Sequence, residues 1–288
     1  MASIGLIVSV RENGGEPFRQ YKAAVLHILT SLTKRPSVAD RIPPTILSAI
    51  DQLEATSSDG CMRKSDRTSA RKAKRLPRQD FEAIERDIRK KAHLSVLALP
   101  TLSAMTVLRL TGARPCELLS IEARSPAPGT IDVTIRNAKA TNGRGLGEAR
   151  SFQLRDVAED EVAIVCGWPS TLDELVTRYA AKSPVADISK YFSRAARRAL
   201  GKRRKYPTLY SLRHQFASDA KAAGLLPEEI AALMGHASDV TAIRHYGRRT
   251  SGQAGIKAYA NPNSINKVRR KAKQFPSGNS PGTTLRVP

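Results

Sequence analysis

The chain has 288 residues, 41% of them hydrophobic, and carries a net charge of +22. That apolar share suffices for a real core, and that charge calls for a polyanionic partner, nucleic acid first and an acidic membrane surface second. No run of eighteen apolar residues exists to span a bilayer, and the apolar start IGLIVSV (4–10) is too short, with its charges on the wrong side, for a secretory signal.

In chain order, residues 1–60 read as a small helical unit. FRQYKAAVLHILTSL (18–32) has apolar residues at helical spacing, and Pro43-Pro44 opens a second helix, TILSAIDQLEA (45–55), with Ile46, Ile50 and Leu53 on one face. Residues 61–75 follow as a basic linker, with seven cations between Arg63 and Arg75 against one aspartate. A third unit is expected over 76–260 and a basic, disordered tail over 261–288. From Leu76 a helical tract is predicted to about Ile121, broken near Leu99-Pro100. TIDVTIRNA (130–138) and ARSFQL (149–154) alternate as half-buried strands. KATNGRGLGE (139–148) joins them as a Gly-rich hairpin connection; it lacks the GK[ST] ending of a phosphate-cradling loop.

Helices resume at 171–182 and 187–205, the latter closing on seven cations from Arg194 to Lys205, more than a helix terminus needs and suited to a phosphate track. Tyr210 to Ala223 is a further helix ending near Gly224, Pro227 starts the next, and Ser238 or Asp239 caps a short helix carrying Tyr246. Cys61, Cys116 and Cys166 are odd in number and far apart, which fits reduced structural thiols, and no Cys/His spacing fits zinc. Neither a metal nor a cofactor is expected.

The chemistry concentrates in two places, TGARPCELLSI at 111–121 and YPTLYSLRHQFASDAKAAGLLPEEIAALMGHASDVTAIRHY at 206–246. Among their side chains are the arginines Arg114 and Arg213, several histidines and the hydroxyl of Tyr246. Phosphoryl transfer needs a nucleophile, cationic donors for the nonbridging oxygens, and an acid for the departing oxygen. Arginine suits the donor task because its planar fork bonds two oxygens and stays charged. Each such donor is worth roughly 3–4 kcal/mol in a dry site. A tyrosine nucleophile stores the energy of the cleaved bond as a phosphotyrosine, so resealing needs no ATP.

TGARPCELLSI resembles the first-arginine box of the tyrosine recombinase (phage integrase) family, YSLRHQFAS the second-arginine box, and LMGHASDVTAIRHYG the closing box. The resemblance covers about Leu76 to Ala260. It implies a mainly α catalytic domain with a small antiparallel β-sheet behind a small helical N-terminal unit. It also implies the roles. Arg114 and Arg213 would clamp the scissile phosphate, and Lys139 would protonate the leaving 5′ oxygen. His236 would hydrogen-bond a nonbridging oxygen or the nucleophile, and Tyr246 would attack to give a 3′-phosphotyrosyl link. Glu117 would support the arginine.

Three departures stand out. Tyr210 occupies a position that is usually histidine, and a phenol with a reference pKa of about 10 is a poor base near neutrality. The step from His236 to Tyr246 is one residue longer than usual, and residues 1–75 are short for a DNA-clamping domain. His214 is expected to face elsewhere on its helix, His245 to be a surface residue, and Tyr259 to be a weaker rival nucleophile. Trp168 and Phe216 are expected in the core.

The resemblance implies a site-specific DNA recombinase or integrase acting on double-stranded DNA. It further implies four protomers on two duplexes, with accessory DNA-bending proteins, in a cytoplasmic, nucleoid-associated setting. Two other readings stay open: a type IB topoisomerase-like relaxer, and a non-catalytic DNA-binding protein on the same scaffold.

Overall fold

Residues 15–33, 44–57, 72–138, 145–241, 246, 249–253 and 255–270 are described by the computed structural model. The chain forms two compact units, Met1–Lys72 and Ala73–Pro288. In the first, helices α1 (Gly15–Thr33) and α2 (Pro44–Ala55) lie against each other. Phe18 and Leu53 are buried, and the Lys22 ammonium donates to the Glu54 and Thr56 carbonyls at 2.9 and 2.8 Å. A lysine at that place closes the C-terminus of α2, where carbonyls lack helical partners.

The second unit begins with α3 (Arg78–Lys90), which buries Ile84 and Ile88. Next comes α4 (Ala98–Thr111), buried on most faces and packed against α3 and four later helices. The break between them falls at residues 91–97, earlier than the expected Leu99-Pro100. Pro100 is the third residue of α4, where a missing N–H costs nothing because no carbonyl precedes it in the helix. Helix α4 stops at Gly112, whose φ of +61° is left-handed, and a Cβ there would overlap the Phe216 ring.

The expected helix does not continue to Ile121. Pro115–Ser120 is a 3-10 turn, and Ile121–Ala127 is a strand, β1, that the sequence reading missed. It pairs antiparallel with β2 (Thr130–Arg136), which pairs with β3 (Ala149–Leu154). A short strand β4 completes the sheet in the order β1-β2-β3-β4. It comes from Ala258–Ala260, far along the chain. Ile131, Val133, Ile135, Phe152 and Leu154 are buried on one face, as the alternation requires. The fold is therefore mainly α with a small antiparallel sheet.

Helices α5 (Glu159–Cys166), α6 (Trp168–Thr177), α7 (Pro184–Leu200), α8 (Leu209–Ala222) and α9 (Pro227–Leu233) surround α4 and the sheet. Trp168 and Phe216 are core, and the Trp168 indole donates to the Leu118 carbonyl at 2.8 Å. Helix α7 ends at Gly201, so Lys202 to Lys205 leave it. Arg198 is held by Asp87 at 2.7 Å and Arg203 by Asp80 at 2.6 Å. Two of the seven cations assigned to a phosphate track are thus engaged by carboxylates on α3.

The expected tail is ordered at its start. Helix α10 (Pro262–Asn266) is capped by Asn261, Val268 is buried, and the Arg269 N–H donates to the Ala237 carbonyl at 3.0 Å. No described helix is long and apolar enough to cross a membrane.

Candidate active site

Three chain turns converge on α8. Its first turn is closed by Thr208 and Ser211, whose side chains cap reciprocally; the Ser211 hydroxyl accepts from the Thr208 N–H at 2.9 Å. The helix then presents Tyr210, Arg213 and His214 at i, i+3 and i+4, hence on one side. The end of α4 brings Gly112 and Arg114. The end of α9 brings Met234, Gly235 and His236.

Arg213 is fully buried and ties these turns together. It donates to the Gly112 carbonyl at 2.6 Å and to the Met234 carbonyl at 2.7 Å. Both are helix-terminal acceptors, at the negative ends of α4 and α9. Its Nη2 also lies 2.9 Å from His236 Nε2, and its Nε lies 3.3 Å from the Tyr246 hydroxyl.

Behind Arg213 sits a buried ionic group. Glu117 is unexposed and accepts from the Arg114 backbone N–H at 2.8 Å, from the Arg114 guanidinium, from the Ala138 N–H at 3.2 Å and from Arg150 at 2.8 Å. Arg213 is a further 3.8 Å away from it. Burial opposes its charge, but Arg150, Arg114 and Arg213 outweigh that and hold the carboxyl down at about 2. Arg150 spends its remaining donors on the Asn137 side chain and the Leu233 carbonyl, the latter at 2.8 Å. Burial pulls its guanidinium down to about 10 against the attraction of Glu117, so it stays charged at neutral pH. Among the described residues, three guanidiniums against one carboxylate leave an excess of two positive charges in a buried cluster. That is a setting for an anion.

His236 is 2% exposed. Burial, then Arg213, Arg114 and Arg150, push its imidazole down to about 2, so it is neutral. Its Nε2 faces an arginine nitrogen, which carries only donors, so Nε2 must accept and the ring proton resides on Nδ1. That Nδ1 is buried and has no hydrogen-bond partner among the described residues. An unmade hydrogen bond of this kind costs about 1–3 kcal/mol.

The Tyr246 hydroxyl lies 2.8 Å from that of Tyr210. Its ring is flanked by His236 and His214, with centroids 5.0 and 4.9 Å away, and by the Arg213 guanidinium at 5.3 Å. The Lys221 ammonium donates to the Tyr246 carbonyl at 3.0 Å.

Of the residues singled out from the sequence, Arg114, Tyr210, Arg213, His236 and Tyr246 come together. Lys139 and His245 lie outside the described residues. His214 is a correction: it does not face elsewhere but packs edge-on to Tyr210 and against Tyr246. Residues four apart on a helix share a face, which places it beside Tyr210. Tyr259 sits on the opposite, solvent-facing side of the sheet under the Arg155 guanidinium at 4.7 Å. Arg150, Asn137 and Lys221 were not anticipated. For Arg150 a signal existed, since it shares the inward parity of Phe152 and Leu154 in a clean alternation. Among the described residues no group of three metal-ligating side chains gathers.

No family model and no curated protein matches the chain. Solved structures of low similarity do. XerH site-specific recombinase bound to its difH substrate in a pre-cleavage complex is 16% identical, covering 79% of this chain and 68% of that one at a TM-score of 0.44. A lambda integrase dimer bound to a COC′ core site is 18% identical, covering 82% of each chain at a TM-score of 0.41. A protelomerase covalently complexed with substrate DNA is 14% identical, covering 80% of this chain and 83% of that one at 0.39. Such low identities and TM-scores carry no functional weight, and the side chains must supply it.

Proposed function

We propose that this chain is a DNA strand-transfer enzyme of the tyrosine recombinase type, cleaving and rejoining strands through a 3′-phosphotyrosyl intermediate on Tyr246. The observation that carries this reading is the Tyr246 hydroxyl 3.3 Å from Nε of a fully buried Arg213. It stands beside an excess of positive charge and a buried imidazole N–H that has no partner among the described residues. A nucleophile, fixed cations and a neutral donor within one site are what attack on a phosphodiester needs.

In this reading Arg114 and Arg213 bind the nonbridging oxygens. His236, packed against the Tyr246 ring, hydrogen-bonds a nonbridging oxygen or the nucleophile. The Tyr246 oxygen bonds to phosphorus, and the bond from phosphorus to the 5′ oxygen breaks. Lys139, on the β2–β3 connection, gives that oxygen its proton. Glu117 and Arg150 hold Arg114 and the base of the connection in place. Tyr246 and Arg213 belong to one chain, which fits cleavage in cis. Strand exchange on this plan takes four protomers on two duplexes. The basic stretch 61–75 and the N-terminal unit at 1–60 add phosphate-backbone contacts.

Trapping on a nicked suicide duplex, resolved by denaturing gel, tests the reading. A covalent adduct supports it, and site-independent relaxation of supercoiled plasmid points instead to a topoisomerase-like activity. DNA binding with no adduct on any verified site leaves a non-catalytic binder.

A further inference from the structure

The pair of phenols has no place in a scheme with an imidazole base. Two hydroxyls 2.8 Å apart must share one hydrogen between them, so one donates and the other accepts. Tyr246 oxygen also receives the Arg213 Nε–H. The cations stand on the Tyr246 side, with Arg213 over its ring, Arg114 close by and Lys221 on its backbone carbonyl. His214 and His236, the other titratable groups against the Tyr246 ring, are both neutral at physiological pH. Tyr210 is 37% exposed and keeps a route to water.

Building on the strand-transfer reading, we infer that Tyr210 is a catalytic residue of a kind different from the histidine it replaces. It retains its proton and donates a hydrogen bond to the Tyr246 oxygen. The attacking phenolate therefore forms against two fixed donors, the Tyr210 hydroxyl and the Arg213 Nε–H, with no general base. In the step itself the Tyr246 proton departs to water. The resulting phenolate forms the O–P bond, the P–O bond to the leaving oxygen breaks, and that oxygen is protonated by the general acid. The asymmetry of the environment agrees. Burial, then Tyr246 itself, pushes Tyr210 up to about 12, while for Tyr246 burial is outweighed by Arg213, the Tyr210 hydrogen bond and Arg114, which lower it. The pair loses one proton first, and Arg213, bonded to the Tyr246 oxygen and set over its ring, favours the negative charge at Tyr246.

The chain has seven tyrosines, so ¹³C labelling at Cζ gives a resolvable titration, with Tyr210→Phe and Tyr246→Phe as assignments. Tyr246 is expected to ionise before Tyr210, and in Tyr210→Phe its midpoint is expected to rise by about one pH unit, a tenfold weaker acid. An unchanged or lower midpoint overturns the inference. This measurement needs neither DNA nor turnover, so its failure is distinct from failure of the strand-transfer reading, which shows as absence of an adduct.

On a suicide duplex, Tyr210→Phe is expected to shift the pH profile of cleavage upward by the same amount, with unchanged DNA affinity and recovery at high pH. An equal loss at every pH means that Tyr210 acts on the phosphate, and an adduct mapped to Tyr210 makes it the nucleophile. Either result overturns the inference.

Discussion

Arg150 donates from Nη2 to Glu117 Oε2 at 2.8 Å, and neither side chain has any solvent exposure. The pair joins β3 to the turn that carries Arg114, and Arg150 reaches on to the last carbonyl of α9. The site's cations are therefore positioned by an ion pair that has no solvent exposure of its own.

Breaking a buried ion pair from one side leaves the other charge stranded, at a cost of about 3–5 kcal/mol. Arg150→Met is expected to lower the stability of the Ala73–Pro288 unit by that order in urea denaturation followed by near-UV circular dichroism. Glu117→Gln should do likewise, and it leaves three guanidiniums with no carboxylate among them. A change below about 1 kcal/mol for both contradicts the network's role.

Acid should destabilise the chain across two pH windows. The His214 imidazole is pushed down to about 4 from an ordinary 6.5 by burial, then Lys74, Arg213 and Lys221. The unfolded chain then takes up a proton that the folded one refuses. Its contribution to stability is full above about 6.5 and is lost as pH falls toward 4. Glu117, held at about 2 against an ordinary 4.5, contributes above 4.5 and loses its contribution as pH falls toward 2. His214→Asn should reduce the slope of the upper window of a stability–pH curve, where the buried His236 also contributes, and leave the lower one. A flat curve between pH 6.5 and 4 in the parent protein contradicts the buried neutral imidazole.

Gly235 has a φ of +65°, and a Cβ on it would overlap the Asn137 amide and stand 2.9 Å from Arg150 Nη1. Gly235→Ala combines a left-handed penalty with overpacking, together about 2–5 kcal/mol. It also displaces His236, one residue on. Thermal unfolding should show the loss, with a weaker covalent adduct, whereas Gly147→Ala, with open space around its Cβ position, should cost only the conformational part.

The Lys221 contact to the Tyr246 carbonyl holds Tyr246 through its backbone. A misplacement of about 1 Å can cost about a hundredfold in rate. Lys221→Met should slow adduct formation by about ten- to hundredfold with DNA affinity unchanged, read by single-turnover cleavage beside a filter-binding isotherm. Equal losses in both would assign Lys221 to DNA contact instead.

How much of this was legible in the sequence follows from the length scale of each signal. Strands β2 and β3 alternate over six or seven residues, and their pattern is strong. Strand β1 runs Ile121-Glu122-Ala123 into Ser125-Pro126, which breaks its own alternation, and β4 has three residues, fewer than a period-two signal needs. The residues of the site were legible because helical spacing and three ordered boxes name them. Their second layer was not. Arg150 reaches Glu117 only because the register pairs Ile135 with Arg150 across β2 and β3. His214 was misjudged because a residue adjacent to Arg213 in sequence still shares a face with Tyr210 four residues earlier.

The central claim is that Tyr246 becomes covalently attached to DNA. The direct measurement is peptide mapping by mass spectrometry of the adduct trapped on a nicked suicide duplex, with Tyr246→Phe run in parallel. The predicted result is a single nucleotide-modified peptide carrying Tyr246, a free 5′ hydroxyl on the released strand, and no adduct from Tyr246→Phe while its DNA affinity is retained. An adduct that persists in Tyr246→Phe, or its absence from the parent protein on a duplex it demonstrably binds, contradicts the account.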